Sequence, residues 1–259
     1  MSRRATNASP LAGWTVVSLR PRGQHAPLRV AAARAGARVL ALSPLAIEPR
    51  TDAASRKALR EALAADVVLF TSPNAVLAAA NLRTLRIARG RPVLAVGDGT
   101  RRTLLRLGIE AIAPTRMDSE GLLAMPALRD IAGRSLGLMT APGGRNRLAP
   151  ALQARAAEVR RADVYDRTPV VIAAARWQAL ATLLATPEHV VLALSSAEAL
   201  DAVLRQRPAT LETPLRRIAV SAASERLAQA ARDAGFRRIT TAADARPASL
   251  LRAAADAFV

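Results

Sequence analysis

The chain of 259 residues contains no cysteine, one tyrosine (Tyr165), one lysine (Lys57) and two histidines, His25 and His189. Without cysteine there is no disulfide framework, no thiolate nucleophile and no sulfur-based metal site. Two histidines so far apart leave a His-rich metal centre or a Ser-His-Asp triad poorly supplied. Aromatic residues make up only 2% of the chain, so the core must be built from Ala, Leu, Val and Ile, and little is available to stack on nucleic-acid bases. No apolar run reaches the ~20 residues needed to span a bilayer. The stretch Met1 to Gly13 is polar and carries no signal-peptide core. These absences lead us to expect a cytoplasmic protein with a disordered lead-in over residues 1–13, no metal and no membrane partner.

What is abundant is arginine. The formal net charge is +18, which implies attraction to something anionic. The arginines are spread along the chain and not gathered into the dense blocks of a nucleic-acid tail. With so few aromatics this argues against nucleic acid and leaves a polyanionic small molecule as the expected partner. The length suffices for two domains with a core in each.

Strand signals alternate with helix signals throughout. Apolar runs at 15–19, 37–42, 66–70, 92–96, 110–113, 135–139, 158–164, 189–194, 217–220 and 237–241 read as strands, with helical stretches between them. Such β-α alternation argues for parallel sheets covered by helices on both faces. The chain also repeats itself at an offset near 124. Phe70-Thr71-Ser72-Pro73-Asn74-Ala75-Val76 returns as Leu194-Ser195-Ser196-Ala197-Glu198-Ala199-Leu200, and Ala95-Val96-Gly97 with Thr100 returns as Ala219-Val220-Ser221 with Ser224. Two further pairs follow in the same order: the turns after Leu19 and Met139, and Ser119–Leu123 with Pro247–Leu251. Two copies of one α/β domain are the expectation. Between them, Asp163–Pro169 reads as a connecting segment carrying the lone tyrosine.

In each copy a strand ends in small or hydroxyl residues and turns into a helix. Thr71-Ser72, Gly97 to Thr100, Ser195-Ser196 and Ser221 to Ser224 are expected at these junctions, on the carboxyl edge of a parallel sheet. Helix N-termini there offer hydroxyls and free backbone N–H groups, which suit phosphates or carboxylates, although the same residues also serve as ordinary caps. Gly97-Asp98-Gly99 has Arg102 where the third glycine of a dinucleotide fingerprint would fall, and no phosphate-binding G-x-x-x-x-G-K loop exists, so no cofactor is expected. The turn Pro142-Gly143-Gly144-Arg145-Asn146-Arg147 places two guanidinium groups before a helix, fit for an anion or for solvent.

Taken together, Phe70 to Val76, Ala95-Val96-Gly97 with Thr100, Ser119 to Leu123, Gly144-Arg145 and Val164-Tyr165-Asp166-Arg167 resemble the uroporphyrinogen-III synthase family, from about Trp14 to Phe258. The Thr-Ser-Pro-Asn-Ala-Val and Val-Tyr-x-Arg segments are the most specific parts. The resemblance implies two flavodoxin-like α/β domains, each a parallel sheet flanked by helices, joined by a two-stranded ladder with a ligand cleft between them. Carried over, residues 14–44 plus 170–258 form one discontinuous domain, 48–164 the other, and 45–47 with 165–169 the hinge strands. Each domain would then take its first motif from the opposite repeat.

The resemblance further implies a monomeric lyase that cyclises hydroxymethylbilane, a linear tetrapyrrole polycarboxylate handed over by hydroxymethylbilane synthase. The reaction loses the terminal hydroxyl, inverts ring D through a spiro intermediate and closes the macrocycle, with net loss of water. Departure of the hydroxyl leaves a resonance-stabilised cation, so confinement and orientation matter more than acid-base power. On this likeness Tyr165 assists hydroxyl departure as a hydrogen-bond donor. Thr71, Ser72, Asn74, Gly97, Thr100, Arg145, Ser195, Ser196, Ser221 and Ser224 bind substrate. In the second copy, Ser221 stands where a glycine is frequent. The alternative is a two-domain protein that binds an anionic small molecule without catalysis.

Overall fold

The structure is a computed structural model that describes residues 9–115, 119–143, 148–155 and 158–259. In chain order the strands are β1 (Thr15–Ser18), β2 (Arg38–Ala41), β3 (Leu45–Pro49), β4 (Val67–Phe70), β5 (Val93–Ala95), β6 (Ser135–Thr140), β7 (Glu158–Asp163), β8 (Tyr165–Pro169), β9 (Val190–Leu194), β10 (Ala219–Ala222) and β11 (Arg238–Thr241). The helices used below are α1 (Ala26–Arg34), α2 (Ala53–Leu63), α3 (Pro73–Leu82), α4 (Asp98–Arg106), α5 (Ser119–Leu123), α6 (Pro126–Arg129), α7 (Leu148–Gln153), α8 (Ala174–Leu183), α9 (Ala197–Gln206), α10 (Glu212–Leu215), α11 (Glu225–Asp233) and α12 (Pro247–Phe258).

The chain divides into two compact units: unit 1 is formed by the described residues of Met1–Ala46 and Pro169–Val259, and unit 2 by Ile47–Thr168. Unit 1 holds a five-stranded sheet in the order β11-β10-β9-β1-β2, and every pairing in it is parallel. Unit 2 holds a four-stranded parallel sheet in the order β5-β4-β6-β7. Strands β3 and β8 form a separate two-stranded ladder, flanked by bonds from the Val170 amide to the Pro44 carbonyl and from the Arg50 amide to the Val164 carbonyl. Arg50 grips Asp166 with two bonds of 2.8 and 2.9 Å, and this bidentate pair holds the Asp166 carboxyl below the usual carboxylate range.

The apolar runs are continuous because both faces of each sheet are covered. In unit 1, Val17, Leu192 and Val220 face one core, while Val16, Val191 and Ala219 face the other. In unit 2, Val68 and Phe70 face one core, and Val67 and Leu69 the opposite one. Phe70 is fully buried, as are its aliphatic neighbours, so this aromatic-poor chain fills its interior with branched residues and alanine. The closest approach is at Gly137 on β6, where a Cβ would lie 1.8 Å from the Ala62 carbonyl oxygen at the end of α2.

The connectivity exchanges segments between the repeats. Strand β1 opens the first repeat but pairs with β9 of the second, and β6 opens the second but pairs with β4 of the first. Counted from β1, unit 1 has the flavodoxin-like order 2-1-3-4-5, and unit 2 follows the same path as far as its fourth strand.

Two sequence expectations are corrected. The strand expected at 110–113 shrinks to one bridge, Leu94 with Ile112, because only Ile112 exchanges backbone bonds with Val93 and Ala95. The lead-in expected to be disordered through residue 13 is ordered over 9–13, since Leu11 is fully buried and its amide bonds to the Ala35 carbonyl; residues 1–8 lie outside the described ones. The helix that starts at Ser119 is short, and α6 follows where Pro126 starts a new first turn.

Candidate functional site

In unit 2 the carboxyl ends of β4 and β5 lead into α3 and α4. Ser72 is the N-cap of α3, with extended backbone, and its Oγ accepts a 3.0 Å bond from the Ala75 amide. Pro73 follows at the first helical position, where its missing N–H costs nothing. The Ser72 hydroxyl also lies 3.2 Å from the Tyr165 hydroxyl. The Tyr165 ring, at the start of β8, is only 3% exposed and packs with Phe70, Met139 and Val164. Thr71 donates to the Met139 carbonyl (3.2 Å) and to the Thr140 hydroxyl (3.1 Å), which ties the tip of β4 to that of β6. Asn74 sits half-buried in the first turn of α3.

Gly97 is the N-cap of α4 and has no side chain to cap it. The anionic group at this helix end is Asp98, held by Arg101 and Arg102. Its hydrogen bonds to Arg101 lower its pKa first, helped by the charge of Arg102. Thr100 is buried in the first turn of α4.

In unit 1 the corresponding edge is formed by the ends of β9, β10 and β1. Ser195 is exposed, and Ser196 is the N-cap of α9, its hydroxyl accepting from the Ala199 amide at 3.2 Å. Ser196 therefore repeats the geometry of Ser72. Ser224 is the N-cap of α11 and its side chain makes no capping bond. Ser221 departs from the expected junction. It lies inside β10, only 1% exposed, and donates a 2.7 Å bond to the Leu250 carbonyl of α12. The physical reason is a shift in the second copy: the strand runs on to Ala222, so the helix starts three residues later than the sequence offset implies. The cap equivalent to Gly97 is thus Ser224, and the Ser221 hydroxyl serves the interior. Arg145 lies outside the described residues.

The sequence reading missed His25. It precedes α1 with its side chain buried, Nδ1 2.8 Å from the Ser18 hydroxyl and Nε2 2.7 Å from the Ser43 hydroxyl. Burial lowers its pKa, assisted by the charges of Arg29, Arg20 and Arg176. The ring is therefore neutral at physiological pH, one nitrogen donating and the other accepting. One of only two histidines, placed just after the turn that ends the first strand, was the available signal.

Among the described residues no group of three His, Cys, Asp or Glu side chains could hold a metal ion. Nor is any described helix long and apolar enough to cross a membrane. The chemistry on offer is that of hydroxyls, helix N-termini and guanidinium groups.

A family model described as uroporphyrinogen-III synthase HemD matches residues 26–252. The chain is 33% identical over 199 residues to the uroporphyrinogen-III synthase of Salmonella typhimurium, covering 73% of this chain and 78% of that protein. It is 34% identical over 140 residues to the Escherichia coli protein of the same name, where the match spans 52% of this chain and 54% of the relative. In fold it resembles a mutant uroporphyrinogen III synthase from Thermus thermophilus, with a TM-score of 0.62 and 22% identity over 92% of this chain and 96% of that one. A Helicobacter pylori uroporphyrinogen-III synthetase gives the same TM-score at 15% identity, over 94% and 99% of the two chains.

Proposed function

This chain belongs to the uroporphyrinogen-III synthase family, and we propose that it converts hydroxymethylbilane to uroporphyrinogen III with loss of water and inversion of ring D. The observation that carries this reading is the family match across residues 26–252. The polar inventory of the carboxyl edges supports it, since a flexible polycarboxylate needs many weak donors and few catalytic groups.

Tyr165 is the proposed acid partner. Its hydroxyl lies 3.2 Å from that of Ser72, and in the proposed role the phenol proton points to the departing hydroxyl of the substrate. That hydroxyl leaves as water once protonated, and the pyrrole nitrogen feeds electrons into the cation that remains. The last ring then attacks through its substituted carbon and rearranges, and a proton is lost at closure. The protein's larger task is to hold the chain so that the inverting attack outruns direct closure. The N-termini of α3, α4, α9 and α11, with Thr71, Ser72, Asn74, Gly97, Thr100, Ser195, Ser196 and Ser224, are proposed to hold carboxylates. Arg145 is retained as a further cation on the family likeness. Ser221 is withdrawn from this group because its side chain is buried inside β10, with its hydroxyl bonded to the Leu250 carbonyl.

The test is to supply freshly made hydroxymethylbilane and separate the oxidised products. Type III product formed faster than spontaneous closure is expected; type I product alone, at the spontaneous rate, would end this reading. We further propose a cytoplasmic monomer that receives its substrate from hydroxymethylbilane synthase. Sedimentation equilibrium should give a single species near the chain mass of 27.3 kDa, and a mass twice that would overturn the monomer.

A further inference from the structure

The carboxyl edge of unit 1 has a second polar centre, around His25, that the junctions of β9 and β10 do not include. A cavity of about 480 Å³ opens there, lined among others by Arg22, His25, Arg29, Ser43 and Arg176. Its walls come from the turn after β1, the first turn of α1, the end of β2 and the start of α8. Arg22, Arg29 and Arg176 are exposed, and none forms an ion pair with a carboxylate among the described residues.

The charges that act on His25 are Arg29, Arg20 and Arg176, with no carboxylate among them. Arg20 is desolvated enough to lower its own pKa, and its guanidinium reaches the Ala245 carbonyl only at 3.5 Å. Some other guanidinium groups are paired with carboxylates: Arg50 with Asp166, Arg161 with Asp163, Arg216 with Glu212. Like charges gathered round a cavity repel one another. An oxyanion in the cavity would reverse that repulsion, and guanidinium groups bind carboxylates with two parallel bonds. His25 cannot be the counter-charge, because its ring is neutral and both nitrogens are spent on Ser18 and Ser43. Its part is to fix the entry to α1 against the end of β2, and so to set where Arg22 and Arg29 stand.

We propose that this cavity is a subsite for one carboxylate of the substrate, bound by Arg29 and Arg176 with Arg22 at the rim. It rests on the synthase reading and adds to it four residues of unit 1: three binding arginines, and His25 as a positioning residue.

The two histidines make the test direct. The Cε1–H signals of His25 and His189 are followed by NMR through a pH titration, with and without propane-1,2,3-tricarboxylate as probe. The groups that face His25 are Ser18, Ser43, Arg20, Arg22, Arg29 and Arg176. Bound carboxylate cancels part of the arginine field, so the His25 midpoint should rise by about one pH unit. The signal of His189, which stacks edge-on against Trp14, should stay where it is. In the double variant Arg29→Ala/Arg176→Ala the probe should leave His25 unmoved. With hydroxymethylbilane that variant should show KM raised about 10-fold and kcat nearly unchanged, the pattern for loss of one charge-assisted contact.

An unmoved His25 signal in the wild type at saturating probe overturns the subsite. So does a His25 shift combined with an unchanged KM in the folded double variant, which would mean that the cavity takes a free anion and not the substrate. Failure of the synthase reading would appear separately, as type I product from the wild type.

Discussion

Tyr165→Phe should lower kcat for type III product by roughly 10²-fold, the usual cost of removing a positioned proton donor, or close to 3 kcal/mol of barrier. The substitution is conservative in packing. The ring is 3% exposed among Phe70, Met139 and Val164, and phenylalanine keeps that volume. What goes is the hydroxyl 3.2 Å from Ser72. Ser72 retains its bond from the Ala75 amide, so α3 keeps its cap and the stability loss should stay near the ~1 kcal/mol of one neutral hydrogen bond. Rates measured with fresh substrate, beside a denaturation curve, separate the two effects. A variant that turns over within a few-fold of the wild type would remove Tyr165 from the chemistry and leave it a core residue.

The second large effect is on folding. Gly137→Ala should destabilise unit 2 by at least ~3 kcal/mol, and Gly137→Val should prevent it from folding. A Cβ on Gly137 would meet the Ala62 carbonyl oxygen at 1.8 Å and its carbon at 2.6 Å. Those are backbone atoms at the end of α2, so no side-chain rotation relieves the clash. The helix must lift off β6, which exposes the core formed by Leu59, Ala62 and Leu63. Urea unfolding of the alanine variant measures the loss directly. A midpoint within error of the wild type would mean that α2 can move away at little cost.

Much of this protein was legible because of how parallel sheets are buried. Val67-Val68-Leu69-Phe70 and Val190-Val191-Leu192-Ala193-Leu194 are apolar at every position since both faces are covered. The caps Ser72 and Ser196 were legible for the same kind of reason: a hydroxyl three residues ahead of a helical amide has one common use. Other features depended on register. Ser221 resembles Gly97 by sequence offset, yet it lies inside β10 because that strand runs longer than β5. Leu11 lies in a stretch whose composition is polar, but one apolar side chain suffices to anchor it under α1. His25 had only its rarity and its place after the first strand to mark it, because its partners Ser18 and Ser43 come from different strand ends.

The sequence by itself determined the β-α alternation, the two copies, the hydroxyl-rich carboxyl edges and the family. Each of these is written in local pattern: apolar runs, caps and a repeat. The exchange in which β1 joins β9 and β6 joins β4 was implied by the family resemblance alone, and the tertiary structure is what decides it. The two copies are alike, and the backbone ladder that pairs parallel strands does not read side chains. Either opening strand therefore fits either sheet by pattern alone. The choice is made by long-range closure of the chain through β3 and β8, which no local stretch of sequence records.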